Sequence, residues 1–79
     1  MAVFGRELMG RTVLDKTGEK VGTIVDIVVD LATGTLSEFH VRPAEDLVVD
    51  LLPFERNDSG VIIPTGSVSR IAAQIHLAV

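Results

Sequence analysis

The clearest hydrophobic pattern in the chain runs from Lys20 to Arg42. Apolar and β-branched side chains fill two runs in this stretch, and a Thr33-Gly34 pair separates them. Glycine tolerates the left-handed backbone that a tight connection between strands requires. The segment is therefore predicted to form a long β-hairpin on which the rest of the chain packs.

The first strand of this hairpin has two different faces. Its odd positions, from Val21 to Leu31, form a nearly pure apolar row. Because side chains alternate between the faces of a strand, this row is predicted to face the core. The even positions mix Asp26 and Asp30 with Ile24 and Val28, and these four side chains are predicted to face outward.

The remaining chain divides into short segments separated by turn residues. Further strands are predicted at residues 11–15, 51–55, 61–64 and 74–79, with helical turns at 6–10 and 65–71. The last strand is expected to pair near the first. About six short antiparallel strands, with turn signals about every ten residues, predict a small all-β barrel or sandwich that forms a single domain over residues 1–79.

The first helical turn is expected to close one end of the core. Phe4, Leu8 and Met9 are the apolar side chains available for this role, and Gly10 follows as a helix stop. On the returning strand of the hairpin, Phe39 is predicted to point inward.

Composition makes the core of this domain thin. A chain of 79 residues buries only about 60 to 65 per cent of its unfolded surface. Yet 47% of the residues are hydrophobic and the mean hydropathy is +0.43. There is no cysteine to form a disulfide. Oligomerisation is the expected means of covering and stabilising the surplus apolar surface.

Charge and segment lengths restrict the partners. The net charge of −4 and the sequence pI of about 4.9 oppose long-range attraction to nucleic acid or anionic membranes. No apolar run has the length of a membrane span, and the first residues lack the apolar core of a signal peptide. These features predict a soluble cytoplasmic protein without direct membrane insertion.

The residues that usually carry chemistry are not arranged for it. His40 and His76 lie on different predicted strands and have no metal-ligand spacing. Asp26 and Asp30 are separated by about 13 Å along a strand, too far to share a proton or a cation. No serine lies in a nucleophile motif. The sequence therefore predicts no catalytic residue, no cofactor and no metal.

An RNA contact remains an alternative. Arg6, Arg11, Lys16 and Lys20 fall in the first quarter of the chain and could form a basic edge. The chain has no tyrosine or tryptophan to stack on bases. A solvated basic edge is therefore favoured, and no nucleic acid is expected as the main partner.

The apolar residues that the predicted core does not need indicate a protein interface. One group lies in a segment that otherwise reads as a connection, and the other lies on the outward row of the central strand. The predicted interface comprises Ile24, Val28, Leu47, Val48, Leu51, Leu52 and Phe54.

Two parts of the chain resemble a known family, the PRC-barrel domains. The N-terminal residues that carry the resemblance are Glu7-Leu8-Met9-Gly10-Arg11-Thr12-Val13 with Asp15, Gly18-Glu19 and Val21-Gly22-Thr23-Ile24-Val25-Asp26-Ile27. The C-terminal ones are Val61-Ile62-Ile63-Pro64 with Val68, Ile71 and Ile75-His76-Leu77. The resemblance implies a small PRC-barrel fold, and it rests on packing and turn residues.

Length and acidity are similar to stand-alone archaeal PRC-barrel proteins. This resemblance implies a non-catalytic adaptor that dimerises with itself or a paralogous PRC-barrel protein, some such adaptors being associated with the FtsZ-based cell-division machinery through the SepF anchor. The alternative is a module like the C-terminal barrel of RimM, acting with RNA or the ribosome in ribosome maturation.

Overall fold

The computed structural model describes residues 4–46, 53–58 and 60–79. Its elements, in chain order, are α1 (Gly5–Leu8), β1 (Thr12–Leu14), β2 (Lys20–Asp30), β3 (Thr35–Pro43), β4 (Glu55–Asn57), β5 (Gly60–Pro64), a 3-10 turn (Thr65–Ser67), β6 (Val68–Ile71) and β7 (Ile75–Leu77). The all-β prediction is confirmed.

Within the described residues, all strands belong to one seven-stranded sheet with the order β4-β5-β3-β2-β1-β7-β6. Neighbouring strands are antiparallel except β1 and β7, which run parallel, with Val13 opposite Ile75. The predicted pairing of the last strand with the first is thus confirmed, but the pair is parallel and not antiparallel as predicted. The additional strand is β6, in a segment predicted as a helical turn. It is extended because it pairs with β7 once the 3-10 turn has ended.

The predicted hairpin is formed by β2 and β3. Gly34 adopts a φ of 73°, and its amide donates to the Asp30 carbonyl at 2.7 Å. This left-handed position closes the connection and returns the chain so that Thr35 lies opposite Asp30.

Ten side chains form the buried core of the described residues. They come from α1, β1, β2, β3, β5 and β7, and are Leu8, Val13, Val21, Ile24, Phe39, Val41, Val61, Ile63, Ile75 and Leu77. All ten belong to one cluster. Since β5 and β7, which lie near opposite ends of the sheet order, both contribute to it, the sheet must curl around the core.

The N-terminal lid is smaller than predicted. Leu8 is 4% exposed and closes the core, whereas Phe4 and Met9 are exposed. Phe4 and Met9 have extended backbone on either side of the four-residue helix, so of the three only Leu8 lies on the helix itself.

The strict alternation predicted for β2 is interrupted by two bulges. Val21 is an extra residue opposite β1, and Val25 is an extra residue opposite β3. Each extra residue shifts the alternation by one position. Ile24 is consequently 1% exposed, so its predicted outward orientation is wrong. Leu31, predicted to face the core, is 95% exposed at the end of the hairpin.

Gly22 lies where β2 passes close to the backbone of β3. A Cβ at this position would overlap the Arg42 carbonyl oxygen and lie 2.9 Å from the Val41 Cγ1 atom. Backbone atoms and a buried valine cannot move aside cheaply. The close approach of the two strands therefore depends on the absence of a side chain.

We expect Gly22→Ala to lower the free energy of unfolding by about 1–3 kcal/mol, because the added methyl group overpacks a tight contact. Urea denaturation followed by circular dichroism measures this loss. Gly66→Ala is the matched control, since a Cβ there meets no atom within 4 Å and the backbone needs no positive φ. Equal stabilities of the two variants would contradict the close-approach explanation.

Candidate protein-interaction surface

The outer wall of the barrel carries two rows of side chains across β2, β3, β5 and β4. Phe39 and Val41 of β3 point into the core, so the residues that alternate with them face outward. Strand register extends this alternation to the neighbouring strands. The outward rows are Val28–Glu38–Pro64 and Asp26–His40–Ile62–Glu55.

An apolar cleft, the outer cleft, lies beside these rows. Its volume is about 420 Å³, and its lining residues are Glu38, Pro53, Phe54, Glu55, Ile62, Pro64, Ser67 and Val79. The half-buried Phe54 packs against the core as well as lining the cleft. A partly exposed aromatic ring that also packs on the core is the type of side chain that anchors protein interfaces.

Hydrogen bonds hold two sides of the outer cleft in place. The Thr65 hydroxyl lies 3.1 Å from both the Leu36 and the Ser37 carbonyl oxygen, and its proton is shared between them. This contact fixes the start of the 3-10 turn against β3. On β3 itself, the His40 Nε2 atom lies 3.3 Å from Glu38 Oε1. These contacts hold the 3-10 turn and the Glu38 side chain in place beside the cleft.

The structure divides the predicted interface residues into three groups. Val28 is half-buried on the outward row, as predicted, and Phe54 lines the outer cleft. Ile24 is in the core and is unavailable to a partner. The other four, Leu47, Val48, Leu51 and Leu52, lie outside the described residues.

Sequence reasoning missed Ile62 and Pro64 as parts of this surface. Both belong to a segment that was predicted to be a strand without a defined face. Residues 61–63 are all aliphatic, so the sequence carries no alternation that assigns a face. The structure buries Val61 and Ile63, and the Ile62 side chain between them therefore faces outward.

A second cleft, the basic cleft, lies between the β1–β2 turn and the β6–β7 pair. Its volume is about 610 Å³, and it is lined by Leu14, Asp15, Lys16, Thr17, Gly18, Ser69, Arg70, His76, Leu77 and Ala78. The Arg70 Nη2 atom lies 3.1 Å from His76 Nε2. The cleft therefore brings Lys16 near Arg70 and His76, which lie far from it in the sequence.

The N-terminal basic residues do not share one environment. Arg6 lies over the Phe4 ring at 4.7 Å, and Arg11 donates to the Ala72 carbonyl at 2.6 Å. Lys16 lines the basic cleft, whereas Lys20 lines a different depression beside β3. The predicted basic edge is therefore divided between separate contacts.

The turn beside the basic cleft is organised by the Asp15 carboxylate. Its Oδ1 atom accepts hydrogen bonds from the Thr17 hydroxyl and from the Thr17 and Glu19 amides. These bonds, led by that of the Thr17 hydroxyl, lower the pKa of Asp15 below its ordinary value of 3.8. The carboxylate is thereby turned toward its own loop.

The two aspartates at the outward positions of β2 form local hydrogen bonds with the backbone. Asp26 and Asp30 each accept a hydrogen bond at 2.8 Å from a neighbouring amide, that of Ile27 and Ala32 respectively. His40 lies on an outward row of the outer wall, whereas His76 lines the basic cleft. Over residues 4–46, 53–58 and 60–79, no group of three or more histidine, cysteine or acidic side chains could hold a metal ion.

The curled sheet, its short helical lid and its thin aliphatic core define a small β-barrel module. The chain matches the family model of the PRC-barrel domain over residues 1–77 and belongs to that family. The comparison with curated proteins finds no match. Among the described residues, no helix is both long and apolar enough to cross a membrane.

Asp15→Asn should reduce the dependence of stability on acid pH. The folded pKa is below the unfolded value of 3.8, so the unfolded chain binds more protons in the interval between the two values. The contribution of Asp15 is complete above that interval and is lost as pH falls through the folded pKa. Unfolding curves recorded from about pH 6 to pH 2 measure the slope.

Glu7→Gln, on exposed α1, is the control for removing one surface charge. It should retain the acid-dependent loss of stability that Asp15→Asn reduces. An Asp15→Asn protein with the wild-type slope would mean that the turn hydrogen bonds do not favour the ionised carboxylate.

Proposed function

We propose that this PRC-barrel protein is a non-catalytic protein–protein interaction adaptor that dimerises through its outer wall. The observation that carries the proposal is the outer cleft, where Phe54, Ile62 and Pro64 present apolar surface beside positioned polar groups. Apolar clefts with an aromatic anchor and a polar rim are typical of protein interfaces.

The arrangement of the wall supports a dimer of this kind. Val28 lies one strand away from the cleft, opposite Glu38, and extends its apolar surface toward β2. Glu38 and Glu55 lie at the edge of the cleft, where carboxylates of an interface can remain hydrated. In a two-fold dimer the same patch meets its copy, so each apolar residue contributes twice.

The predicted interface residues outside the described part of the chain belong to the same proposal. Leu47, Val48, Leu51 and Leu52 immediately precede Pro53 and Phe54 in sequence. We propose that they enlarge the dimer surface that Phe54 begins. Their aliphatic character supplies the apolar area that a stable interface requires.

We further propose an archaeal cell-division role, with SepF or FtsZ proteins as partners and a paralogous PRC-barrel protein as an alternative second subunit. The support is the resemblance to stand-alone archaeal family members in length and acidity. In this proposal the protein acts in the cytoplasm and is recruited to the division site. Direct titration with purified SepF or FtsZ tests it, and failure of both to bind would remove this finer role.

We expect Val28→Asp to raise the dimer dissociation constant by at least about tenfold, because a charge on the outward row must be desolvated in the interface. Sedimentation velocity across a concentration series measures the change. Val29→Asp is the matched control, since Val29 faces the other side of the same strand and pairs with Leu36. Circular dichroism confirms that both variants keep the β-sheet.

A wild-type protein that remains monomeric at tens of micromolar would contradict the dimer. Equal dissociation constants for the Val28→Asp and Val29→Asp proteins would show that the dimer interface does not lie on the outer wall. Either result is read from the same sedimentation series.

A further inference from the structure

We propose that the basic cleft is a second binding site, which takes an acidic segment of a partner protein through Arg70 and Lys16. This inference extends the proposed adaptor role, but it does not depend on dimerisation. Lys16 comes from the β1–β2 turn and Arg70 from β6, and His76 of β7 lies beside Arg70. Their juxtaposition follows from the sheet topology.

A β-bulge brings Arg70 to His76. Ser69 is the extra residue in β6 opposite β7, and it shifts the register so that Arg70 pairs with His76. The Ser69 hydroxyl also donates to the His76 carbonyl at 3.1 Å, which secures the bulge. The Arg70 side chain is thereby held over β7 at the cleft.

The contact with His76 orients the guanidinium group. An arginine remains protonated, so in the 3.1 Å contact its Nη2 group donates and His76 Nε2 accepts. One of the five N–H donors of Arg70 is used in this bond. The others remain available, and a planar guanidinium fixed in this way matches the two oxygens of a carboxylate.

The two cations of the basic cleft form no ion pair in the described part of the chain. Within the described residues, neither Lys16 nor Arg70 has a carboxylate oxygen within 4.0 Å of its charged nitrogens. Asp15 also lines the cleft and offsets part of the positive charge, but its carboxylate accepts its hydrogen bonds from its own turn and not from either cation. An external carboxylate would therefore meet unpaired cations.

The cleft suits an acidic peptide better than a nucleic acid. Its lining contains no phenylalanine, tyrosine or tryptophan on which a base could stack. The net charge of −4 repels a long polyanion, whereas a short segment with two or three carboxylates experiences mainly the local cations. The two cations of the cleft match such a segment, whereas the Ser69 and Thr17 hydroxyl protons are already donated within the chain.

The binding test uses the full chain and a fluorescein-labelled peptide containing two glutamates, one aspartate and a leucine. Fluorescence anisotropy should show saturable binding that weakens as salt rises. Arg70→Glu should weaken it at least about tenfold, because an attractive pair becomes a repulsive one. Arg70→Gln should give an intermediate loss, since it removes the charge without reversing it.

Arg42→Glu is the matched control, because Arg42 is an exposed arginine of β3 outside the basic cleft. It makes the same change in net charge and should leave peptide affinity within about twofold of wild type. A peptide in which glutamine and asparagine replace the acidic residues should bind at least about tenfold more weakly than the acidic peptide.

Three results would overturn the proposal. They are equal loss of affinity in Arg70→Glu and Arg42→Glu, absence of acidic-peptide binding at millimolar concentration, and tighter binding of a uridine oligonucleotide of equal charge. The last would make the site a nucleic-acid contact. Sedimentation of Arg70→Glu separates this test from that of the dimer, because the variant should retain the wild-type oligomeric state.

Discussion

The structure depends on the ability of β2 to bend while it pairs on both sides. Nine buried side chains from one sheet must meet Leu8 of α1 in a single core, which a flat sheet cannot achieve. Extra residues at Val21 and Val25 shift the register against β1 and β3 in turn, and Gly22 permits a close approach to β3. Local irregularity in this strand is thus what allows the sheet to curl around its core.

The same irregularity explains how much could be predicted from the sequence. The β2–β3 hairpin, its Gly34 connection and the inward Phe39 follow from local pattern, and all are found. The faces of β2 do not follow from local pattern, because a bulge depends on the partner strand as much as on the strand itself. Ile24 was therefore assigned to the wrong face, whereas Val28 lies outward as predicted.

The candidate sites were predictable only in part for a similar reason. Phe54 was recognisable as surplus apolar surface, but its neighbours in the outer cleft depend on the register of β5 against β3. Arg70 and His76 are six residues apart in the chain, and they meet only because β6 forms and Ser69 is bulged. A sequence read without strand pairing presents them as two unrelated polar residues.

The two clefts adjoin each other near the C-terminal end of the described chain. Ser67 and Val79 line the outer cleft, whereas Ser69 and Ala78 line the basic cleft. The border is secured by backbone hydrogen bonds from Ala78 to Ser67 at 2.8 Å and from the Lys16 amide to the Val79 carbonyl at 3.1 Å. Proteins bound in the two clefts would lie side by side on a fixed border, which is the geometry that a bridging adaptor requires.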